Sequence, residues 1–316
     1  MRTPGRFCST ASSNPLSKMW RLGRSFSLNG SVTSPLIQTE TFCSIGPLAF
    51  ETSGPGSRNR EGEVKLNLPG ENRVAVITGG GTGVGAAAAQ ALDTRGWTTV
   101  ICGRRLEPLE EVAAGLKNSN LSLAVDISEP TAVDELFKST VEAFGRVDLL
   151  FNNAGIGAPP VPINDLSVES WRDVVDINLT GTWLCSRAAF DYMKRQTPAG
   201  GRIINNGSVS AQTPRPFSSP YTATKHAVTG LTKALALEGR EHGITVGQID
   251  IGNALTPLTR QMTQGVLQAD GTTREEATMS VSNVAEAIIF LAELPNDVNV
   301  PQMTIMANEM PLIGRG

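Results

Sequence analysis

Short apolar runs alternate with longer amphipathic stretches along the chain from residue 73 onward. The apolar runs are rich in Val and Ile and are bounded by turn residues, which is typical of strands buried on both faces. The amphipathic stretches between them are typical of crossover helices. The pattern therefore predicts one α/β domain, a doubly wound sheet of seven mostly parallel strands with helices on both faces. The predicted strands are 73–78, 98–102, 121–125, 147–151, 202–205, 244–249 and 302–306.

The first 70 residues lack this alternation. Ser, Thr, Pro and Gly dominate there, and no acidic residue precedes Glu40. The acid-free part contains the basic residues Arg2, Arg6, Lys18, Arg21 and Arg24. This composition is typical of an organelle-targeting presequence, and Arg24-Ser25-Phe26-Ser27 is similar to a mitochondrial processing site, although a disordered tail or an untranslated upstream extension would look the same. We therefore expect residues 1–70 to lie outside the folded domain, 71–316, and the protein to be mitochondrial if the presequence is real and cytoplasmic otherwise.

Composition and charge exclude several classes of protein. Of the 316 residues, 40% are hydrophobic and 18% are charged, and the formal net charge is -3. This is the profile of a globular protein without the excess of basic residues that nucleic-acid-binding proteins carry. No apolar run approaches the roughly 18 residues that a transmembrane helix needs. We therefore expect neither a nucleic acid nor a membrane as a partner.

The positions of the cysteines and histidines argue against a metal site. The cysteines are Cys8, Cys43, Cys102 and Cys185, and the histidines are His226 and His242. They form no Cys-x-x-Cys or Cys/His cluster, so we expect neither a disulfide framework nor a bound metal. A reducing compartment fits this cysteine usage best. Because only two histidines could act as a base, a Ser-His-Asp triad is also disfavoured.

A glycine-rich turn joins the first predicted strand to the first predicted helix. Residues 78–85 read Thr-Gly-Gly-Gly-Thr-Gly-Val-Gly, and a helix-forming run follows at 86–92. Glycines let the backbone turn sharply and approach a pyrophosphate, and the N-terminus of the next helix offers free N–H groups and the positive end of its dipole. A flexible loop can have the same composition, but the position between a strand and a helix favours a dinucleotide site. The cofactor-binding residues would be Gly79, Thr82, Gly83, Val84 and Gly85.

The spacing of this turn, Thr-Gly-x3-Gly-x-Gly, resembles the short-chain dehydrogenase/reductase family, and the resemblance extends from about residue 73 to 293. Two further motifs match the family at predicted strand ends, Asn152-Asn153-Ala154-Gly155 and Asp126-Ile127. The resemblance implies a Rossmann fold that binds a nicotinamide dinucleotide. It also implies that the cofactor site includes Asn153, Ala154 and Gly155 on the adenosine side and Asp126 and Ile127 at the adenine.

The end of the second predicted strand indicates which nicotinamide cofactor binds. Residues 102–105 read Cys-Gly-Arg-Arg, and no acidic residue occurs before Glu107. In Rossmann-type sites an acidic residue at this place binds the adenosine ribose and repels a 2′-phosphate, whereas an arginine can bind the phosphate oxygens. Arg104 therefore favours NADP(H) over NAD(H). The alternative is that Arg104 and Arg105 are solvated loop residues.

Tyr221 and Lys225 lie four positions apart at the start of a predicted helix, so the phenol and the ammonium share one helix face. An ammonium near a phenol favours the ionised phenol and so helps it to exchange a proton. Alone, such a pair is typical of a helix surface. Ser208 changes this interpretation, because it lies thirteen residues earlier, directly after the fifth predicted strand, where ligands bind in such folds. Ser210 is the competing choice, with less suitable spacing.

The resemblance implies a role for each of these residues. Ser208 would donate a hydrogen bond to the substrate oxygen, Tyr221 would act as the general acid or base, and Lys225 would bind the nicotinamide ribose. Asn178 would hold a water molecule that relays protons to the lysine, and an asparagine that only bends its helix is the alternative. Thr256 would contact the nicotinamide carboxamide, although the loop before it lacks the family's usual proline.

These residues predict an NADP(H)-dependent oxidoreductase that transfers hydride between the cofactor and a carbonyl compound or secondary alcohol, as a carbonyl reductase does. Two apolar segments, 157–162 and 253–278, should border the pocket, the second as a mobile lid. Their composition suggests a partly apolar substrate. The apolar residues that this lid contains are Leu258, Met262, Val266 and Leu267.

Two other functions are weighed against this one. A catalytically silent NADP-binding regulatory or scaffold protein would keep the same fold and cofactor site. A hydrolase that uses Ser208 is disfavoured, because no histidine lies nearby and the Gly-x-Ser-x-Gly elbow is missing. Since members of the family are commonly oligomers, we expect a homo-oligomer, with the C-terminal tail, 310–316, either packed on a neighbouring subunit or forming a loose end.

Overall fold

The computed structural model describes residues 73–312. The presequence or disordered extension predicted at 1–70, and residues 313–316 of the tail, lie outside the described residues. The strands are β1 (Val74–Thr78), β2 (Thr98–Gly103), β3 (Asn120–Ala124), β4 (Leu149–Asn152), β5 (Gly201–Asn206), β6 (Ile244–Gly252), β7 (Val266–Leu267), β8 (Thr273–Arg274) and β9 (Gln302–Met306). The helices are α1 (Gly83–Thr94), α2 (Leu106–Ala113), α3 (Pro130–Phe144), α4 (Val168–Val175), α5 (Thr182–Arg195), α6 (Ser219–Glu238) and α7 (Val281–Glu293).

One sheet contains seven strands in the order β3-β2-β1-β4-β5-β6-β9, and every neighbouring pair is parallel. From β1 the chain adds strands outward to β3, and it then returns to the other side of β1 with β4. Parallel strands need crossover connections, and the helices provide them on both faces. The predicted doubly wound Rossmann fold is confirmed, and the sheet, expected to be mostly parallel, is parallel throughout.

The ends of the strands differ from the prediction most at β6. It was expected to end at residue 249 and continues to Gly252. The extra residues pair in register with β9, which places Gln248 opposite Gln302 and Gly252 opposite Met306. Pairing between segments that are distant in sequence does not show in a local pattern. Residues 250–252 therefore pair with β9 alone, whereas Gln248 and Ile249 pair with both β5 and β9.

Alternate residues of β1 enter two hydrophobic cores, one on each face of the sheet. Val74 and Val76 belong to the core that α3, α5 and α6 cover, whereas Ala75 and Ile77 belong to the core that α1, α2 and α7 cover. The whole strand is buried, as the period of two predicts for a strand between two helical layers. Burying one large aliphatic side chain stabilises a fold by about 1.5–3 kcal/mol. The sheet is therefore a rigid base for the residues at its ends.

The segment after β6 contains more regular structure than a mobile loop would. Its short 3₁₀ turn, Arg260–Thr263, is followed by β7 and β8, which form an antiparallel hairpin. An isolated bridge joins Ala254 to Met279, so the segment leaves the sheet and returns at nearly the same place. We call residues 253–279 the lid segment.

The described part of the C-terminal tail packs on its own chain. Met310 is buried in a small apolar cluster with Val209 and Ala307. At this residue the tail is therefore not a loose end. Among residues 73–312, no helix has both the length and the apolar character that crossing a bilayer requires.

Candidate active site

Two adjoining cavities lie where the parallel strands end. The larger has a volume of about 470 Å³ and is lined by residues that follow β1, β4, β5 and β6. The smaller has a volume of about 230 Å³ and is lined by residues that follow β1, β2, β3 and β4. Both are lined by Gly79, Thr82, Ala154 and Gly155. Crevices at the carboxyl ends of such sheets are where ligands bind in this architecture.

The glycine turn between β1 and α1 fits a pyrophosphate. Gly79 and Gly83 have positive φ angles of 64° and 55°, a conformation that other residues rarely adopt. A Cβ atom on Gly85 would overlap the carbonyl oxygen of Gly79, so the helix can start close to the turn only with glycine there. Thr82 makes no side-chain cap, and the first turn of α1 contains no acidic residue. The N–H groups at this end are thus available to an anion.

A chain of hydrogen bonds, which we call the amide chain, connects the glycine turn to α6. Asn153 Nδ2 donates to the carbonyl oxygens of Thr78 (2.9 Å) and Gly79 (3.2 Å). Asn206 Nδ2 donates to Asn153 Oδ1 at 3.1 Å. The carbonyl oxygen of Asn206 then accepts a hydrogen bond from Lys225 Nζ at 2.6 Å. The predicted cofactor residue Asn153 therefore supports the turn, while its neighbours Ala154 and Gly155 line both cavities.

The smaller cavity brings together the residues predicted at the adenosine end, Arg104, Arg105, Asp126 and Ile127. Asp126 accepts hydrogen bonds from Ser128 Oγ (2.7 Å) and Ser128 N (3.0 Å). The Ser128 hydroxyl, with a smaller contribution from Arg104, lowers the pKa of the Asp126 carboxyl. Arg104 makes no hydrogen bond or salt bridge within the described part of the chain. Its guanidinium is therefore available to a ligand at this end.

Ser208 lies directly after β5 and is buried. Its Oγ accepts a hydrogen bond from Ser210 N at 3.1 Å and so starts the short turn Val209–Ala211. Since this bond uses a lone pair of the oxygen, the hydroxyl hydrogen stays available for donation to a ligand. Ser208 and the competing Ser210 both line the larger cavity.

Tyr221 and Lys225 lie one turn apart in α6. Tyr221 lines the larger cavity, as Ser208 does. Lys225 is buried, and its Nζ lies 5.5 Å from the centre of the Tyr221 ring. A buried ammonium needs acceptors, and the carbonyl oxygen of Asn206 provides one. The phenol thus has a cation beside it and a cavity that it shares with a serine hydroxyl.

Asn178 lies in a π-helical turn, Asp176–Gly181, that joins α4 to α5. Its Oδ1 accepts from Ile156 N at 2.8 Å, and its Nδ2 donates to Ile156 O at 2.9 Å. Nδ2 also lies 3.4 Å from Thr224 Oγ1, next to Lys225 in sequence. The amide therefore fixes the loop after β4 relative to α6. Its predicted part in a proton relay stays a prediction.

Thr256, at the start of the lid segment, lies against the N-terminus of α1. A Cβ atom on Gly83 would be 3.2 Å from Thr256 Cγ2. The Thr256 hydroxyl lies 3.0 Å from that of Thr259, and both residues line the larger cavity. Thr256 is thus near the glycine turn although the loop before it has Ile251 where the family usually has proline.

The lid segment lines the larger cavity with two of its four predicted apolar residues. Leu258 and Met262 line the cavity. Val266 and Leu267 do not, because they form one strand of the β7–β8 hairpin. The predicted segment thus borders the cavity through Leu258 and Met262.

Asp250, which the sequence interpretation missed, lies fully buried behind Ser208. Its Oδ1 accepts hydrogen bonds from Ser208 N (3.0 Å) and Gln248 Nε2 (2.6 Å), and its Oδ2 accepts from Gln302 Nε2 (2.6 Å). A Cβ atom on Gly207 would overlap Asp250 Oδ1, so this approach needs glycine before the serine. Gln248 and Asp250, two polar residues two positions apart in an apolar strand, were a sequence signal that could have indicated this contact. The contact with Gln302 could not be predicted, because it depends on the pairing of β6 with β9.

Replacing Asp250 by Ala should destabilise the protein and displace Ser208. Two buried donors, Ser208 N and Gln248 Nε2, would lose this acceptor, and an unsatisfied buried group costs about 1–3 kcal/mol. We expect the free energy of unfolding in urea to fall by at least about 2 kcal/mol. Asp297→Ala, which removes an exposed carboxylate, is the control. Equal urea midpoints for the two variants would contradict this role of Asp250.

Comparison with known proteins adds independent findings. A family model described as short chain dehydrogenase matches residues 73–266. Sulfoacetaldehyde reductase 2 of Chromohalobacter salexigens is 34% identical over 236 residues, which is 74% of this chain and 93% of that protein.

Solved structures agree with these sequence matches. A 3-ketoacyl-(acyl-carrier-protein) reductase from Brucella melitensis, complexed with NADH, is 30% identical with a TM-score of 0.68, covering 76% of this chain and 98% of that one. An alcohol dehydrogenase from the archaeon Thermococcus sibiricus, complexed with 5-hydroxy-NADP, is 26% identical with a TM-score of 0.66, covering 75% and 97%. The similarity therefore spans nearly the full length of each of these two chains.

Proposed function

Since the chain belongs to the short-chain dehydrogenase family and is an oxidoreductase, we propose that it transfers hydride between NADP(H) and a carbonyl compound or secondary alcohol. One observation carries this proposal: Ser208 and Tyr221 line the same cavity, and that cavity begins at the glycine turn. A dinucleotide held by the turn would therefore end near a hydroxyl donor and a phenol. As is common in the family, we further propose that the protein is a homo-oligomer.

In the proposed reaction, the chain's own residues bind the substrate oxygen and move one proton. Ser208 donates its free hydroxyl hydrogen to that oxygen, and Tyr221 donates the proton in reduction or accepts it in oxidation. Lys225 Nζ lies 5.5 Å from the centre of the Tyr221 ring, so its positive charge lies beside the group that would exchange the proton. The nicotinamide, when bound, supplies or accepts the hydride. Thr256 would contact its carboxamide, and Lys225 its ribose.

The cofactor would be held mainly by backbone and by one arginine. Gly79, Thr82, Gly83, Val84 and Gly85 form the turn and the helix start that fit the pyrophosphate. In the smaller cavity, Arg104 would bind the 2′-phosphate that distinguishes NADP(H) from NAD(H), and Asp126 would accept from the adenine amino group. The two solved relatives, one with NADH and one with an NADP derivative, support a nicotinamide cofactor. The proposal of NADP(H) rather than NAD(H) rests on Arg104.

The test is consumption of NADPH and NADH with a panel of aldehydes and ketones, by the parent protein and Arg104→Gln. A hydrogen bond to a charged group contributes about 1.5–3 kcal/mol, so the variant should lose roughly 10- to 100-fold in kcat/KM with NADPH. With NADH it should change little. Lys117→Gln, which removes one positive charge from an exposed position outside both cavities, is the control.

Two outcomes would change the proposal. If Arg104→Gln lowers kcat/KM equally with both cofactors, the arginine does not select the phosphate. If the parent protein binds NADPH and turns over no carbonyl or alcohol, the regulatory or scaffold function replaces the enzymatic one.

A further inference from the structure

The larger cavity contains one charged side chain, that of Arg215. All other residues that line it among residues 73–312 are uncharged. Many of them are apolar: Ala158, Pro160, Val209, Pro216, Phe217, Leu258 and Met262. The Arg215 side chain is only 18% exposed. Burying a charged side chain among apolar residues costs free energy unless the charge has hydrogen-bond or ion-pair partners. The partners of Arg215 therefore bear on its role.

Arg215 is held in place by Glu276 and Asn253. Its Nη2 donates to Asn253 Oδ1 at 2.9 Å and to Glu276 Oε2. Asn253 Nδ2 donates to the same carboxylate oxygen at 2.7 Å, and Gln268 Nε2 donates to Glu276 Oε1 at 3.0 Å. Burial opposes ionisation of Glu276, but these hydrogen bonds and the nearby guanidinium outweigh it and lower the pKa of the carboxyl. The guanidinium is therefore fixed through an anchor at the base of the lid segment.

This anchor uses only one nitrogen of the guanidinium. Of its five N–H groups, the two on Nη2 have acceptors, whereas those on Nε and Nη1 have no hydrogen-bond partner among residues 73–312. The Nε atom is buried, and a buried donor without an acceptor costs about 1–3 kcal/mol. Because Nε is buried, the two N–H groups of Nη1 are the donors left for a ligand, and an oxyanion such as a carboxylate accepts charge-assisted hydrogen bonds from them.

We propose that Arg215 binds an anionic group of the substrate, so that the natural substrate is a small aldehyde, ketone or alcohol that carries a carboxylate or a sulfonate. The proposal rests on the proposed oxidoreductase function. The reacting oxygen would lie at Ser208 and Tyr221, the anion at Arg215, and the intervening carbon chain against the apolar wall. The carboxylate that binds Arg215, that of Glu276, is not among the residues that line the cavity, and the described lining contains no other acidic side chain.

The test compares oxo acids of increasing chain length with their methyl esters and with the matching oxo sulfonates, at fixed NADPH. We expect kcat/KM for the best oxo acid or sulfonate to exceed that for its uncharged partner by at least about tenfold, the ratio that about 1.4 kcal/mol produces. Arg215→Met should remove most of this preference by raising KM for the anion, while the ester changes little. Arg215→Lys, which keeps the positive charge but not the guanidinium that Asn253 and Glu276 orient, should fall between them.

Two controls separate binding of the anion from damage to the fold. Arg260→Met removes an exposed arginine of the lid segment that does not line the cavity, and it should keep the preference. The double variant Arg215→Met/Glu276→Gln avoids a buried carboxylate without its arginine, and it should also lack the preference. Thermal unfolding and NADPH binding are measured for each variant.

Three results would overturn the inference. The parent protein could use the esters as well as the anions, it could use only uncharged carbonyls, or Arg215→Met could lower kcat/KM for acid and ester by the same factor. In each case the oxidoreductase function still stands. If no carbonyl or alcohol of any kind is turned over, the proposed function itself fails.

Discussion

Tyr221→Phe should lower kcat/KM by about 10²- to 10⁴-fold, the range that a positioned general acid or base contributes. The substitution removes only the phenol oxygen, so the ring keeps its place in α6 beside Lys225. The substrate oxygen then loses both a hydrogen bond and the group that exchanges its proton. Ser208 remains and can still orient the substrate, so some activity should persist.

The measurement is steady-state turnover with NADPH, together with a fluorescence titration of NADPH binding. Binding should be retained, because the glycine turn and Arg104 are unchanged. The chain has one other tyrosine, Tyr192 of α5, whose ring stacks on Phe137 at a centroid distance of 6.4 Å and does not line either cavity. Tyr192→Phe is thus a matched control. Similar kcat/KM values for the two variants would rule out Tyr221 as the proton donor.

Gly85→Ala should abolish NADPH binding at concentrations that saturate the parent protein. The new Cβ atom would overlap the Gly79 carbonyl oxygen and would lie 2.6 Å from Asn153 Nδ2. Neither the Gly79 carbonyl nor the Asn153 side chain can shift easily to make room, because Gly79 lies within the turn and Asn153 is part of the amide chain. The start of α1 must therefore move away from the turn, and its N–H groups move away from the phosphates.

Overpacking of this kind also costs about 1–3 kcal/mol of stability, which should appear as a lower midpoint in urea. Gly230→Ala is the control, because it lies within α6 with no atom within 4 Å of a new Cβ. Alanine in a helix interior is better than glycine by roughly 0.5–1 kcal/mol, so this variant should be slightly more stable and bind NADPH normally. Unchanged NADPH affinity in Gly85→Ala would show that the turn is not the phosphate site.

The fold was predictable because its signals are local. Each central strand is an apolar run such as Val74–Thr78, and each crossover is long enough for a helix. The end of β6 was not predictable, because it depends on pairing with β9, a strand that occurs much later in the chain. Hairpin β7–β8 was missed for a related reason, since its two-residue strands are too short to show a period.

The candidate site divides in the same way. Ser208, Tyr221 and Lys225 lie close together in sequence, and their spacing was enough to place the first two in one cavity. Asp250 and Arg215 were missed because their meaning depends on partners from other elements. Asp250 is bound by Ser208 after β5 and by residues of β6 and β9, and Arg215 is bound by a glutamate 61 residues later. The sequence of a single strand or loop does not show whether a charged residue in it is exposed to solvent or buried with hydrogen-bond partners.

The amide chain from Gly79 through Asn153 and Asn206 to Lys225 fixes the distance between the two ends of the proposed cofactor site. The separation between the phosphate end and the reacting end is determined by the ends of β1, β4 and β5, and no ligand has to set it. A cofactor of matching length would then bind to a site that is already formed, and little of its binding free energy would be lost in ordering the protein. We therefore expect a shortened or lengthened dinucleotide to bind more weakly than NADPH, because it could not reach both the glycine turn and Tyr221.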